Sequence, residues 1–208
     1  MKARAVTVAA LLAVAGAAGG YLLGDSLDQA PERIPAAAPV AGESPSYPSD
    51  PEVVVLPDPV TPALEPALPL HEARMGSPAF GVTIPVPDGW ARTDDDLVQA
   101  KWEPPGAPLN TYLLRVKIVS GLHLTVGQAL AQRLEALESV VTDFDLETRT
   151  DDTFVASYVN DSYRRLAMER YLSLGTSGAY VTIVVVGRLS DRVGMADLLE
   201  RVTHGARR

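Results

Sequence analysis

The spacing of apolar residues changes twice in the C-terminal part of the chain, and each change marks a new kind of element. From Phe80 to Val86 every second residue is apolar (Phe80, Val82, Ile84, Val86), which predicts a strand buried on one face. Pro85 and Pro87 place its end at a sheet edge, because proline cannot donate to a ladder. Asp88-Gly89 reads as a turn before Trp90. Val98–Trp102 is a second short strand, closed by Pro104-Pro105-Gly106, and Thr111–Val119 a third, with Tyr112, Leu114, Val116 and Ile118 on one face. The spacing then becomes helical. Thr125 and Gln128 have the spacing of a capping box, and Val126, Leu130, Leu134, Leu137 and Val141 form one stripe of an amphipathic helix running to about Val140.

After that helix the period returns to two. Phe144–Thr148, Phe154–Val159, Arg164–Leu174 and Tyr180–Arg188 read as four strands of a meander. Asp151-Asp152, Asn160-Asp161-Ser162 and Gly175-Thr176-Ser177-Gly178 supply the turns. Tyr180–Val186 is nearly all apolar, which predicts a central strand covered on both faces. Ser190 or Asp191 is positioned to cap a last helix, whose stripe is Met195, Leu198, Leu199 and Val202 and whose end is Gly205. Three strands, a helix, four strands and a helix give an α+β fold, an antiparallel sheet flanked by helices.

Before residue 78 no such periodicity persists. Residues 25–77 hold 11 of the 17 prolines, together with nine acids and two bases, and read as a disordered, proline-rich linker. Residues 78–208 hold 10 of the 12 aromatics, so the core is expected there. Val53-Val54-Val55-Leu56 stands out in the linker as apolar and β-branched. It can dock on its own domain or add a strand to a partner's sheet. Ala5–Gly24 carries no charge, follows Lys2 and Arg4, and precedes Asp25 and Asp28. That pattern predicts a signal anchor that crosses the membrane once, with the C-terminal part extracytoplasmic. Ala13-Val14-Ala15 leaves open a cleaved secretory signal. The expected organisation is therefore 1–24 anchor, 25–77 linker and 78–208 folded domain.

Chemistry is sparse. The net charge of −8 gives no basic field for a phosphate backbone, which argues against nucleic acid as a partner. With no cysteine there is no disulfide framework, thiolate metal site or cysteine nucleophile. No metalloprotease, phosphate-loop, dinucleotide or nucleophile-elbow motif occurs. The three histidines, His71, His123 and His204, are scattered. Asp94-Asp95-Asp96 lacks the spacing of a calcium loop and reads as a solvated turn. Asp143, Asp145 and Glu147 alternate, as on the wet face of an edge strand. Neither a cofactor nor catalysis is expected. Trp102, Tyr163, Arg164 and Arg165 are the candidate interaction surface, being residue types favoured at binding hot spots; a core Trp102 and solvated arginines are the competing reading.

Over residues 79–206 the chain resembles the PsbP-like fold, and more closely the actinobacterial LpqN/LpqT-type envelope lipoproteins. The opening Phe80–Trp90, with Pro87-Asp88-Gly89-Trp90 at its end, carries the likeness, supported by the capped helix from Thr125, the 164–188 hairpin and the closing helix. The resemblance implies an α/β/α sandwich and a non-enzymatic binding or assembly role in the cell envelope, as an accessory to a protein complex or to lipid transport. Its alternative is a carrier or sensor of an apolar envelope ligand. The chain departs from the lipoprotein pattern in having no cysteine to lipidate.

Overall fold

A computed structural model describes residues 52–106, 110–119 and 124–208 of the chain. Among the described residues the elements run β1 (Leu70–Gly76), β2 (Gly81–Pro87), β3 (Ala91–Asp94), β4 (Gln99–Glu103), β5 (Leu113–Ile118), α1 (Val126–Glu138), β6 (Thr142–Arg149), β7 (Thr153–Asn160), β8 (Tyr163–Leu172), β9 (Val181–Gly187) and α2 (Arg192–Gly205). A short 3-10 turn, Leu189–Asp191, leads into α2. The expected α+β class holds: the sheets are antiparallel throughout and two helices lie against them.

Seven strands form the main sheet in the order β3-β4-β5-β9-β8-β7-β6. The order follows from one long excursion. After β5 the chain leaves the middle of the sheet, passes through α1 and re-enters at the far edge as β6. Successive hairpins then bring β7, β8 and β9 back to pair with β5. Hence β9 is the central strand, as its nearly all-apolar run predicts. α1 begins with the capping box read from sequence: Thr125 Oγ1 accepts from the Gln128 backbone N–H, and Gln128 Oε1 accepts from the Thr125 N–H at 3.0 Å.

Strand alternation sends two sets of side chains to the two faces. Ala100, Trp102, Leu114, Val116, Ile118, Leu166, Met168, Val181, Ile183 and Val185 face one side, where α2 (Met195, Leu198, Leu199, Val202) and the β1–β2 hairpin cover them. Ala156, Tyr158, Ala167 and Tyr171 face the other side and meet Ala129, Leu130, Leu134 and Leu137 of α1. The strand expected at Phe80–Val86 is β2, and it does not join the main sheet. It pairs with β1 in a sheet of two strands that lies against the first face.

That pairing corrects the linker. Residues 25–77 were expected to be disordered, with the domain starting at 78. The structure instead makes Leu70–Gly76 a strand in register with all of β2. Upstream, Leu64 is buried against α2, and its backbone N–H donates to Asp191 Oδ1 at 2.9 Å. A Cβ on Gly194 would stand 2.1 Å from the Leu64 carbonyl oxygen, so only glycine lets the strap lie there. Proline density misled because a strap fixed to a folded surface by side chains needs no ladder of its own. Asp191 was one of two expected caps for α2, yet it makes no side-chain capping bond; its carboxylate is committed to Arg188 and Leu64. Val53–Leu56 lies along its own domain, where the Leu56 N–H donates to the Ser162 carbonyl at 2.7 Å. The expected anchor (1–24) and linker residues 25–51 lie outside the described residues. Among the described residues no helix is long and apolar enough to cross a membrane.

Candidate ligand-binding cleft

By the described residues, the face opposite α2 is only half covered. α1 lies over β7 and β8, where small and aromatic residues receive its leucines. Beyond it, over β4, β5 and β9, the same face turns polar: Gln99, Lys101 and Glu103 on β4, Arg115 and Lys117 on β5, Thr182 on β9. A two-part cleft runs between this strip and the helix. The narrower part, of about 330 Å³, is lined by Gln99, Lys117, Gln132, Glu169, Tyr171 and Thr182 among others. The wider part, of about 700 Å³, is lined by Leu113, Leu137, Val140, Tyr158, Tyr163 and Arg165 among others. Arg115 and Arg133 line both and stand at the junction.

Its cations differ in how they are paired. Arg133, on α1, forks onto Glu169 of β8, with Nε at 3.1 Å from both carboxylate oxygens and Nη2 at 3.0 Å from Oε1. Glu169 is 1% exposed. Burial works against the Arg133 charge, but the Glu169 hydrogen bonds outweigh it and push the guanidinium above its ordinary value. Tyr171 beside them is pushed up by burial and by the Glu169 charge. Arg165 is 9% exposed, and its partners are neutral: Nη2 donates to the Thr111 carbonyl at 2.6 Å, and Nη1 to the Asn110 side-chain oxygen. Burial pulls its ionisation down. Asn110 is held from behind by Asp58 of the strap, 2.8 Å away. The Nε of Arg115 is buried with no hydrogen-bond partner among the described residues.

Of the four residues singled out in the sequence, the structure brings two together. Tyr163 and Arg165 line the wider part of the cleft. Arg164, one step away on β8, faces the other side and pairs with Asp143. Trp102 is core, with the Arg92 guanidinium 5.4 Å from its ring centroid. Arg165 is buried rather than solvated. Arg115, Arg133 and Glu169 were not singled out. The signal of Arg115 and Glu169 was present, since each occupies a strand position out of phase with the apolar residues that α2 covers; Arg133 is on α1, outside the stripe of Leu130, Leu134 and Leu137.

Other candidate groups are accounted for locally. Asp94 pairs with Arg92, Asp95 with Gln99, and Asp96 accepts from the Val98 N–H at 2.7 Å, which closes the turn before β4. Asp143 and Glu147 on the edge strand β6 pair with Arg164 and Arg192. The Gly175–Gly178 segment is a turn between β8 and β9. His71 contacts Asp88 at 2.7 Å and His204 contacts Glu200 at 3.1 Å, both in the open; His123 lies outside the described residues. Among the described residues no group of His, Asp and Glu is arranged to hold a metal.

No protein-family model matches the chain, and neither does any curated protein.

Proposed function

We propose that this chain is a non-enzymatic binding module, anchored through its N-terminal segment and working outside the cytoplasm as an accessory to an envelope complex or to lipid transport and assembly. The observation that carries the reading is the half-covered sheet face. A helix that seals one half and leaves a cleft lined by charged and aromatic side chains over the other provides a surface for recognition. The buried acid in that cleft, Glu169, is already bound to Arg133, so it is not a free proton acceptor. The layering of α1, the main sheet and α2 is in keeping with the PsbP-like, LpqN/LpqT-type resemblance read from Phe80–Trp90. The uncharged Ala5–Gly24 segment supports the single-span arrangement; secretion after cleavage is its alternative.

Photo-crosslinking in intact cells tests this, with the reactive group at Lys117 on the cleft or at Val193 on α2, and with a compartment-sensitive reporter at the C-terminus. Adducts are expected from position 117 and not from 193, with the reporter active outside the cytoplasm. A cytosolic reporter, or equal labelling from both positions, would count against the reading.

A second reading, a carrier or sensor of an apolar envelope ligand, is favoured by the apolar wall that Leu113, Leu137, Val140 and Val186 give the wider part of the cleft.

A further inference from the structure

We propose that the wider part of the cleft is a site for an amphipathic anion, its phosphate or carboxylate headgroup held by Arg115 and Arg165 and its apolar chain laid against Leu137, Val140 and Val186. This rests on the reading of the cleft as a binding surface and adds the chemical class of what is bound.

The argument starts from the cost of a buried cation. Taking a guanidinium out of water is unfavourable unless a carboxylate or equivalent acceptors repay it. Arg133 has Glu169. Arg165 is more than nine-tenths buried and forms no ion pair among the described residues; a carbonyl and an amide oxygen are its partners. Arg115 forms no ion pair there either, and its Nε is unsatisfied. The two acids on the same lining do not serve them. Glu103 is paired with Lys101 at 3.0 Å, and Asp161 accepts from the Asn160 amide at 2.8 Å. Two guanidinium groups with donors to spare thus face one cleft. Their planar forks match the oxygens of phosphate and carboxylate, and hydrogen bonds to an anion are stronger than those to neutral oxygens. Tyr158 and Tyr163 lie on the same lining, and burial pushes the Tyr158 ionisation up, which keeps that hydroxyl protonated. An inorganic anion would leave the apolar part of the lining unused. Leu137 and Val140 on the helix side and Val186 on the sheet supply that apolar surface, which a hydrocarbon chain attached to the headgroup would cover.

Calorimetric titration of the full chain in neutral maltoside detergent tests the site, with submicellar octyl phosphate, inorganic phosphate and octyl glucoside as probes. Octyl phosphate is expected to bind more tightly than either of the others. Arg165→Met and, separately, Arg115→Met should each weaken it by at least about tenfold, as the loss of a charge-assisted hydrogen bond implies. Arg115 is only half-buried, so its variant keeps the test valid should Arg165→Met fail to fold. Inorganic phosphate binding as tightly as octyl phosphate would overturn the amphipathic assignment in favour of a free anion. Octyl glucoside binding equally well, unaffected by either substitution, would overturn the anion site and leave the apolar-carrier reading standing. No binding of any probe, with crosslinks from Lys117 retained, would overturn this inference while leaving the binding module intact. Loss of both would remove that reading too.

Discussion

Arg188 and Arg165 are both buried guanidinium groups, and the fold treats them differently. Arg188 is 2% exposed and meets a carboxylate of its own: Nε donates to Asp191 Oδ2 at 2.9 Å and Nη2 to Oδ1 at 2.8 Å. Its remaining donors reach the carbonyls of Pro59, Thr61 and Pro62. Every part of that cluster is saturated from within the chain, and it clasps residues 59–64 to the start of α2. Arg165 is nearly as buried, yet it ends in neutral oxygens beside an open cleft. A charge neutralised internally holds a structure together. A buried charge left without a counter-ion keeps interaction energy available for a ligand.

The largest effect is expected from removing what the clasp holds. A fragment beginning at residue 78 loses β1, Leu64 and the carbonyl partners of Arg188, and should show no cooperative unfolding transition in urea. One beginning at residue 52 should unfold cooperatively. If the shorter fragment unfolds as sharply as the longer, the clasp is ornamental and the contrast fails.

Next comes Asp191→Asn in the full chain. It strands a buried guanidinium, and breaking a buried pair in this way costs about 3–5 kcal/mol, which the urea midpoint reads directly. Glu169→Gln should cost less, about 1.5–3 kcal/mol by the same measurement, because Arg133 is partly solvated and can turn to water.

The clasp also carries a pH signature. Burial opposes ionisation of Asp191, but the hydrogen bonds from Arg188 and from the Arg188 and Leu64 backbone outweigh it and hold the carboxyl below its ordinary value. A depressed native value stabilises the fold above the unfolded value of about 3.9, and that share is lost as pH falls toward the native one. Stability should therefore fall on acidification below about pH 4, and the fall attributable to Asp191 should be missing in Asp191→Asn. The smallest effect is expected at Arg165. Arg165→Met removes a buried cation with no carboxylate partner among the described residues, so unfolding in urea should give a stability within about 1 kcal/mol of the parent or above it. A loss as large as that of Asp191→Asn would show that the two arginines do the same job.

The elements with one apolar face were legible because burial on one side imposes a period. β2, β4, β5, β6, β7, β8, α1 and α2 lie close to where alternation and the helical stripes place them, and β9 where its nearly all-apolar run does. β1 and β3 were not legible. All four residues of β3 are exposed, and β1 alternates weakly, so neither buries enough apolar surface to leave a pattern. Of the cleft, Tyr163 and Arg165 were singled out as residue types favoured in binding, but their separation from Arg164 and Trp102 follows from which face each side chain takes.

The residues by themselves determined the α+β class, the central place of β9, the capping box of α1, and two polar positions of the cleft, because these depend on local spacing and on the chemistry of single side chains. Tertiary structure decided that a proline-rich strap belongs to the domain, and that Arg133 receives a carboxylate while, among the described residues, Arg165 and Arg115 do not. The reason is distance along the chain: Arg133 meets Glu169 only when α1 folds back over β8, and Leu64 meets Asp191 only when the strap crosses α2. No local pattern records a contact between residues so far apart in the chain.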